Sequence, residues 1–221
     1  QCVRPDWLCL NGEWQFEIDS GDSGEERGLR ERELAHRIMV PFCPESELSG
    51  IGYVDFMNVV WYRRVVSIPA AWRGRDVLLH FQACDYDTTV WVNGIQVGRH
   101  RGGFTPFTCD LRGVAEPGGE ATIVVRARDL KDMIGKPAGK QASSFPNRGC
   151  HYTRTTGIWQ TVWLEPVPRT YLQRPRVTPN LADGTLHITQ PIGGNRAGLT
   201  LRARLLDEHG VVAAAAAPAD R

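Results

Sequence analysis

Turn-forming pairs punctuate this sequence at short intervals. Asn11-Gly12, Asn93-Gly94, Gly102-Gly103, Pro117-Gly118-Gly119, Asp183-Gly184 and Gly193-Gly194 separate short runs rich in β-branched and aromatic residues. No segment of about a dozen residues or more carries an apolar stripe of helical period. A chain patterned this way cannot build helical layers. It predicts an all-β protein, a sandwich or a jelly roll.

The clearest local element is a hairpin, Thr88–Val92 and Ile95–Gly98 joined by Asn93-Gly94. That pair tolerates positive φ at both central positions of a type I′ turn, which matches strand twist. Val77–Phe81, Tyr62–Ile68, Thr122–Arg128 and Trp159–Glu165 read as further strands. In the last, Trp159, Thr161, Trp163 and Glu165 share one face. Glu25–Arg37 is charged and reads as a short helix or a loop. Ala213–Ala217 fits a helix or a strand.

Seven Trp, seven Phe and five Tyr supply core material, so disorder is excluded. The net charge of +1 gives no clustered positive footprint, which argues against nucleic-acid and anionic-membrane partners. No apolar run is long enough to span a bilayer as a helix, and no export signal is visible; a cytoplasmic location is expected from the cysteine pattern, in the style of a reducing compartment. The six cysteines are widely and irregularly spaced without a C-x-x-C pair. That spacing opposes a zinc site and predicts free, mostly buried thiols. No Asp/Glu cluster suggests a metal site, and no cofactor is implied.

Pro166, Pro168 and Pro175 mark a boundary near Val167. The expected domains are residues 1–167 and residues 168–221. The second has its own strand signals, Thr185–Thr189 and Leu199–Leu205, but only about half the length of an immunoglobulin-like sandwich. The chain begins at Gln1 and stops just after an Ala run, and reads as a fragment of something longer. One connection stands apart. Asp129–Thr156 mixes Pro, Gly and basic residues, and structureless connections of that length are usually functional or disordered.

Leu10-Asn11-Gly12-Glu13-Trp14-Gln15-Phe16, Val40-Pro41-Phe42 and Trp61-Tyr62-Arg63-Arg64 resemble the N-terminal sugar-binding domain of glycoside hydrolase family 2, the β-galactosidase and β-glucuronidase family. The most specific stretch runs from Val90 to Leu111, with Trp91-Val92-Asn93-Gly94, His100, Gly102-Gly103-Phe104 and Phe107. Gly157–Glu165 closes the domain in the family's manner. The matches keep family order across residues 5–167, and the remainder resembles the start of the family's immunoglobulin-like second domain.

The resemblance implies a galactose-binding-like jelly roll, a partial immunoglobulin-like sandwich and, outside this chain, a (β/α)8 barrel. Such enzymes retain anomeric configuration with two Glu. Both belong to the barrel, which needs about 250 residues. The family's Asn-Glu acid/base pair does not occur here, so no residue is assigned as catalytic and the chain alone is expected to be inactive. Its implied partners are a β-galactoside or related β-glycoside and its own barrel, and the family's jelly rolls also form subunit contacts.

The resemblance further implies that a loop of this domain reaches the non-reducing sugar. Asp129 stands where β-galactosidases of the family place a sugar-contacting Asp, and its alternative is a turn-initiating Asp. His151 lies where members commonly have an Asp, a departure that weakens a specific galactosidase or glucuronidase label. A His there can bond a hydroxyl, or lie unused on a surface loop. Arg154 matches an Arg of some β-galactosidases, touching substrate or orienting the loop by a salt bridge. Lys140, in a Gly-Lys-Gln run, contacts the sugar or is solvated. Asn58 sits in a segment loosely like one that supplies an Asn to the galactose site. Trp91, Trp159 and Trp163 read as core or interface packing, and Gly102-Gly103 as a backbone requirement. A stand-alone carbohydrate-binding module and a structural or oligomerisation domain are the rival readings.

Overall fold

The structure is a computed structural model that describes residues 4–131 and 135–219. The described residues divide into two compact units, 4–166 and 167–219.

The first unit contains β1 (Leu8–Cys9), β2 (Gly12–Ile18), β3 (His36–Val40), β4 (Val59–Ser67), β5 (Asp76–Phe81), β6 (Cys84–Asp85), β7 (Asp87–Val92), β8 (Ile95–Arg101), β9 (Phe107–Asp110), β10 (Glu120–Arg128), β11 (Gly157–Ile158) and β12 (Val162–Val167). A four-stranded sheet has the order β1-β12-β5-β9 and a six-stranded sheet the order β3-β2-β4-β10-β7-β8. A short β11-β6 pair lies beside them. Among the described residues there is no α-helix, as the turn-punctuated sequence predicts.

Strand alternation makes the sandwich. On β10, Ala121, Ile123, Val125 and Ala127 are buried in one cluster with Phe16 and Tyr62 of the same sheet and Leu79, Phe81, Val162 and Leu164 of the other. Each fully buried large apolar side chain contributes about 1.5–3 kcal/mol. The Asn93-Gly94 turn has φ of 51° and 79° at its two centres, the type I′ signature.

The outer face of the larger sheet is also covered. Val59, Trp61, Trp91 and Val124 pack with Leu29 and Leu34 in a second cluster. Residues 19–35 therefore form no helix but a loop of successive turns, the second of the two expected forms, and that loop covers the sheet. Asp19 holds it down by accepting from the amides of Ser23 (3.1 Å) and Gly24 (2.7 Å) and from Trp61 Nε1 (3.1 Å). Arg126 lies over both Trp61 and Trp91 and pairs with Glu25 of the cover.

The second unit holds β13 (Thr170–Leu172), β14 (Arg176–Asn180), β15 (Thr185–Thr189), β16 (Ile192–Gly194), β17 (Thr200–Asp207) and β18 (Gly210–Pro218). They pair as β13-β16, β14-β15 and β17-β18. The Ala213–Ala217 run is strand, not helix. Neither buried cluster includes a residue of this unit, and Leu206, Val211 and Val212 are exposed.

Two further sequence expectations change. The strand foreseen at Trp159–Glu165 starts only at Val162, because the Gln82 amide instead bonds the Thr161 carbonyl at 3.0 Å and Trp159 turns to another partner. The described cysteines are free, but only Cys84 and Cys109 are buried. Cys9 and Cys150 are exposed and Cys43 is intermediate, while Cys2 lies outside the described residues. Cys84 and Cys109 fill core positions, and burial pushes both thiols up to about 12.

Candidate functional site

The connection between β10 and β11 folds back on itself and is tied at several points. Part of it, residues 132–134, lies outside the described residues. At its start, the Asp129 amide donates to the Asn58 carbonyl (2.8 Å). The Asp129 carboxylate is buried and accepts from Lys136 Nζ and from the Thr156 hydroxyl (3.3 Å). One carboxylate thus joins both ends of the connection. Thr156 is further held by its amide, which donates to Glu45 Oε2 at 3.2 Å.

Gln141 pins the middle. Its Nε2 donates to Asp85 Oδ2 (2.7 Å) and its Oε1 accepts from the Thr155 amide (3.0 Å). Backbone bonds from Tyr152 N to Lys140 O (2.8 Å) and from Ala142 N to Tyr152 O (2.7 Å) lace the two limbs together. Arg154 closes the base. Its guanidinium donates to the carbonyls of Ala142 (3.3 Å), Ser144 (2.9 Å) and Val54, and stacks 4.0 Å above Phe56.

These contacts place the five predicted residues in two groups. Asp129 and Arg154 are buried; the Asp129 carboxylate and Arg154 Nη1 and Nη2 are engaged within the protein, while Arg154 Nε has no hydrogen-bond partner. Arg154 orients the loop through carbonyls, not through a salt bridge. Asn58 adjoins Asp129 by its backbone, and its amide donates to Ser20 O at 3.0 Å. Lys140 and His151 are exposed and flank the laced segment around Tyr152. His151 bonds the Arg148 carbonyl only through its backbone amide (3.0 Å).

The connection also walls a cleft of about 200 Å³, lined by Asp85, Phe104, Lys140, Gln141, Tyr152 and Trp159, with Ala138, Thr153 and Thr155. Asp85, Phe104, Gln141 and Tyr152 were not legible as site residues. Their traces were the Gly-Lys-Gln run that ends at Gln141 and the Gly102-Gly103-Phe104 motif. Gly102 does need its positive φ of 146°. Gly103 is needed for space: a Cβ there would lie 2.6 Å from Asp85 Cγ. Of the three Trp read as packing, Trp91 is buried, and Trp163 stacks on His80 at 4.8 Å. Trp159 is half-buried at the cleft, with its indole N–H on the Gly103 carbonyl (2.8 Å). Among the described residues no cluster could hold a metal ion.

Burial, then the charge of Asp129, pushes the Asp85 carboxyl up from its ordinary 3.8 to about 6, although Gln141 and Lys136 pull it back. Burial also raises Glu45. Below about pH 4 the Asp85 carboxyl is protonated in folded and unfolded chains alike. Above about pH 6 the folded chain must keep it ionised and buried. Stability from this group is therefore lost as pH rises from about 4 to about 6, by at most ~3 kcal/mol at 1.36 kcal/mol per unit. Denaturant unfolding of Asp85→Asn beside the parent chain checks this. The stability difference should move in favour of the variant across that window, and parallel pH profiles would contradict it.

The comparisons with known proteins agree with this architecture. Residues 8–164 match the family model described as "Glycosyl hydrolases family 2, sugar binding domain". A β-glucuronidase of Paenibacillus borealis is 30% identical over 134 residues, covering 59% of this chain and 22% of that protein. The β-glucuronidase of Felis catus is 27% identical over 236 residues, covering 93% of this chain and 35% of that protein. A β-galactosidase of Thermoanaerobacter pseudethanolicus is 30% identical over 122 residues, covering 54% of this chain and 15% of that protein. The chain thus spans about a third or less of the curated relatives it matches. The crystal structure of Ruminococcus gnavus β-glucuronidase shares the fold, with a TM-score of 0.75 at 22% identity over 96% of this chain and 37% of that one. With a family model matched over most of its length, the chain belongs to glycoside hydrolase family 2, and residues 8–164 are its N-terminal sugar-binding domain.

Proposed function

We propose that this chain is the non-catalytic N-terminal part of a retaining exo-β-glycosidase acting on a β-galactoside, β-glucuronide or related β-glycoside. The observation that carries the reading is the match to the sugar-binding domain across residues 8–164, together with a connection between β10 and β11 whose described residues are tied by hydrogen bonds and leave Lys140 and His151 exposed. Relatives bearing β-glucuronidase and β-galactosidase names support the substrate class. The chemistry is assigned to two carboxyl groups of a barrel beyond this chain, roughly 5–5.5 Å apart in retaining enzymes. This domain supports that barrel and completes the subsite for the non-reducing sugar. Free thiols at the described cysteines support a reducing, cytoplasmic setting.

In this role Asp129 and Arg154 position the loop, and His151 and Lys140 meet the sugar. A hydrogen bond from His151 to a hydroxyl that tightens in the transition state contributes roughly 1.4 kcal/mol. His151→Ala in the complete enzyme should therefore lower kcat/KM about tenfold. Its unfolding midpoint should not move, because the side chain is exposed. An unchanged kcat/KM would remove His151 from the site.

A further inference from the structure

We propose that residues 138–156, the described limb of the β10–β11 connection, form a proton-controlled latch, seated on the sandwich while the buried carboxyls of Asp85 and Glu45 are protonated and released as they ionise. The inference is independent of the sugar reading and needs nothing from a barrel.

Placement is the first argument. Asp85 belongs to β6, Asp129 follows β10, and Glu45 lies between β3 and β4. The fold brings all three carboxyls under one connection. Asp85 Oδ2 accepts from Gln141 Nε2 (2.7 Å), Glu45 Oε2 from the Thr156 amide (3.2 Å), and Asp129 Oδ2 from the Thr156 hydroxyl (3.3 Å). Each of the three residues is buried. The ammonium set against them is that of Lys136, which pairs with Asp129. Ionising Asp85 and Glu45 as well therefore adds two negative charges where water screens poorly.

Two orphaned oxygens are the second argument. Asp85 Oδ1 and Glu45 Oε1 are buried without a hydrogen-bond partner. A buried carboxylate oxygen without a donor is costly, and lifting the limb lets water supply one. The bonds from Gln141 and Thr156 favour the ionised forms, but burial outweighs them and raises both groups, Asp85 to about 6. Among the described residues, Asp85 faces Asp129, Lys136, Glu45 and the Cys84 thiol, and Lys140 lines the cleft beside it. Glu45 faces the Cys43 thiol and the Tyr62 hydroxyl. Burial raises Cys43, Cys84 and Tyr62 further above neutral pH, so these three stay uncharged.

The sign follows from proton binding. Release returns Asp85 to solvent, where it ionises near its ordinary 3.8. Between about pH 4 and pH 6 the seated limb holds a proton that the released limb has lost, so rising pH favours release. The limb carries Lys140 and His151. Two buried carboxyls, and not the His151 ring, then set the pH range in which those exposed side chains are held in place.

Hydrogen exchange of the 221-residue chain, corrected for intrinsic rates, tests this at the Ala142, Tyr152, Thr155 and Thr156 amides. Relative to the amides of β4 and β10, their protection should fall roughly tenfold or more between about pH 4.5 and pH 7. The double variant Asp85→Asn with Glu45→Gln keeps an acceptor at each position and removes both titrations, so its relative protection should stay flat across that range. Relative protection that is flat or rises with pH in the parent chain would overturn the latch. So would a fall that persists undiminished in the double variant.

Discussion

Gly157→Ala is expected to lower the stability of the sandwich by about 4 kcal/mol or more. Two independent penalties act at this position. Gly157 has φ of +72°, a conformation that costs an L side chain roughly 1 kcal/mol. An added Cβ would also lie 2.3 Å from Tyr62 Oη and 3.0 Å from Tyr62 Cε2 and Cζ. Tyr62 cannot step aside. It is fully buried, meets Phe16 edge-on at 5.2 Å, and its hydroxyl accepts from the Ile158 amide at 3.2 Å. Overpacking of a well-filled core costs about 1–3 kcal/mol or more, and an Ile158 amide left without its acceptor adds a comparable amount. For a domain of this size the melting temperature should fall by roughly 8–16 °C. Calorimetry of the variant checks this, and a shift of a degree or two would mean that β11 yields locally. Tyr62→Phe removes the closest atom, so the double variant should recover part of the loss, a coupling that a mutant cycle measures.

Arg154→Ala is expected to melt the connection between β10 and β11 while leaving the sandwich folded. The guanidinium serves three carbonyls from two separate segments and covers the Phe56 ring. Its removal leaves the buried Ala142 carbonyl without that donor and opens the packing over Phe56. Hydrogen bonds to charged groups are each worth about 1.5–3 kcal/mol, and their partners are costly to strand. A local loss of about 3 kcal/mol corresponds to a fall of more than a hundredfold in hydrogen-exchange protection. The fall should appear at the Ala142 and Tyr152 amides and be absent from β4 and β10. Arg154→Lys should not restore protection, because one ammonium cannot reproduce a planar fork across three acceptors. Protection retained in Arg154→Ala would show that Gln141 and Asp129 suffice to hold the loop. The same loss would displace Lys140 and His151, and in the complete enzyme it should depress kcat/KM through positioning.

Much of the fold was legible because it depends on local rules. Asn93-Gly94 specifies its hairpin, since few other pairs accept two adjacent positive φ values. The alternation in Thr122–Arg128 specifies a strand with one face inward, and Ile123 and Val125 are indeed buried. Glu25–Arg37 was not legible. Its charges suggest solvent, yet Leu29 and Leu34 pack on Trp61 and Trp91. That contact exists only once Asp19 has tied the segment to a sheet assembled from distant strands.

The candidate site divides along the same line. Asp129, Arg154, His151, Lys140 and Asn58 could be named from motif order along the chain. Which of them face inward could not. Asp129 is enclosed because Lys136 and Thr156 close around it, and Arg154 because Val54, a hundred residues away, supplies a carbonyl. Asp85 and Gln141 meet across 56 residues, and Gly103 matters through the space it leaves beside Asp85. The sequence by itself determined the all-β architecture, the turn geometry and the family, because each is encoded in short-range pattern. Only the tertiary structure decided which polar groups are consumed in holding the loop and which are left exposed. Burial and hydrogen-bond pairing depend on residues that the chain brings together from far apart, and no local spacing records them.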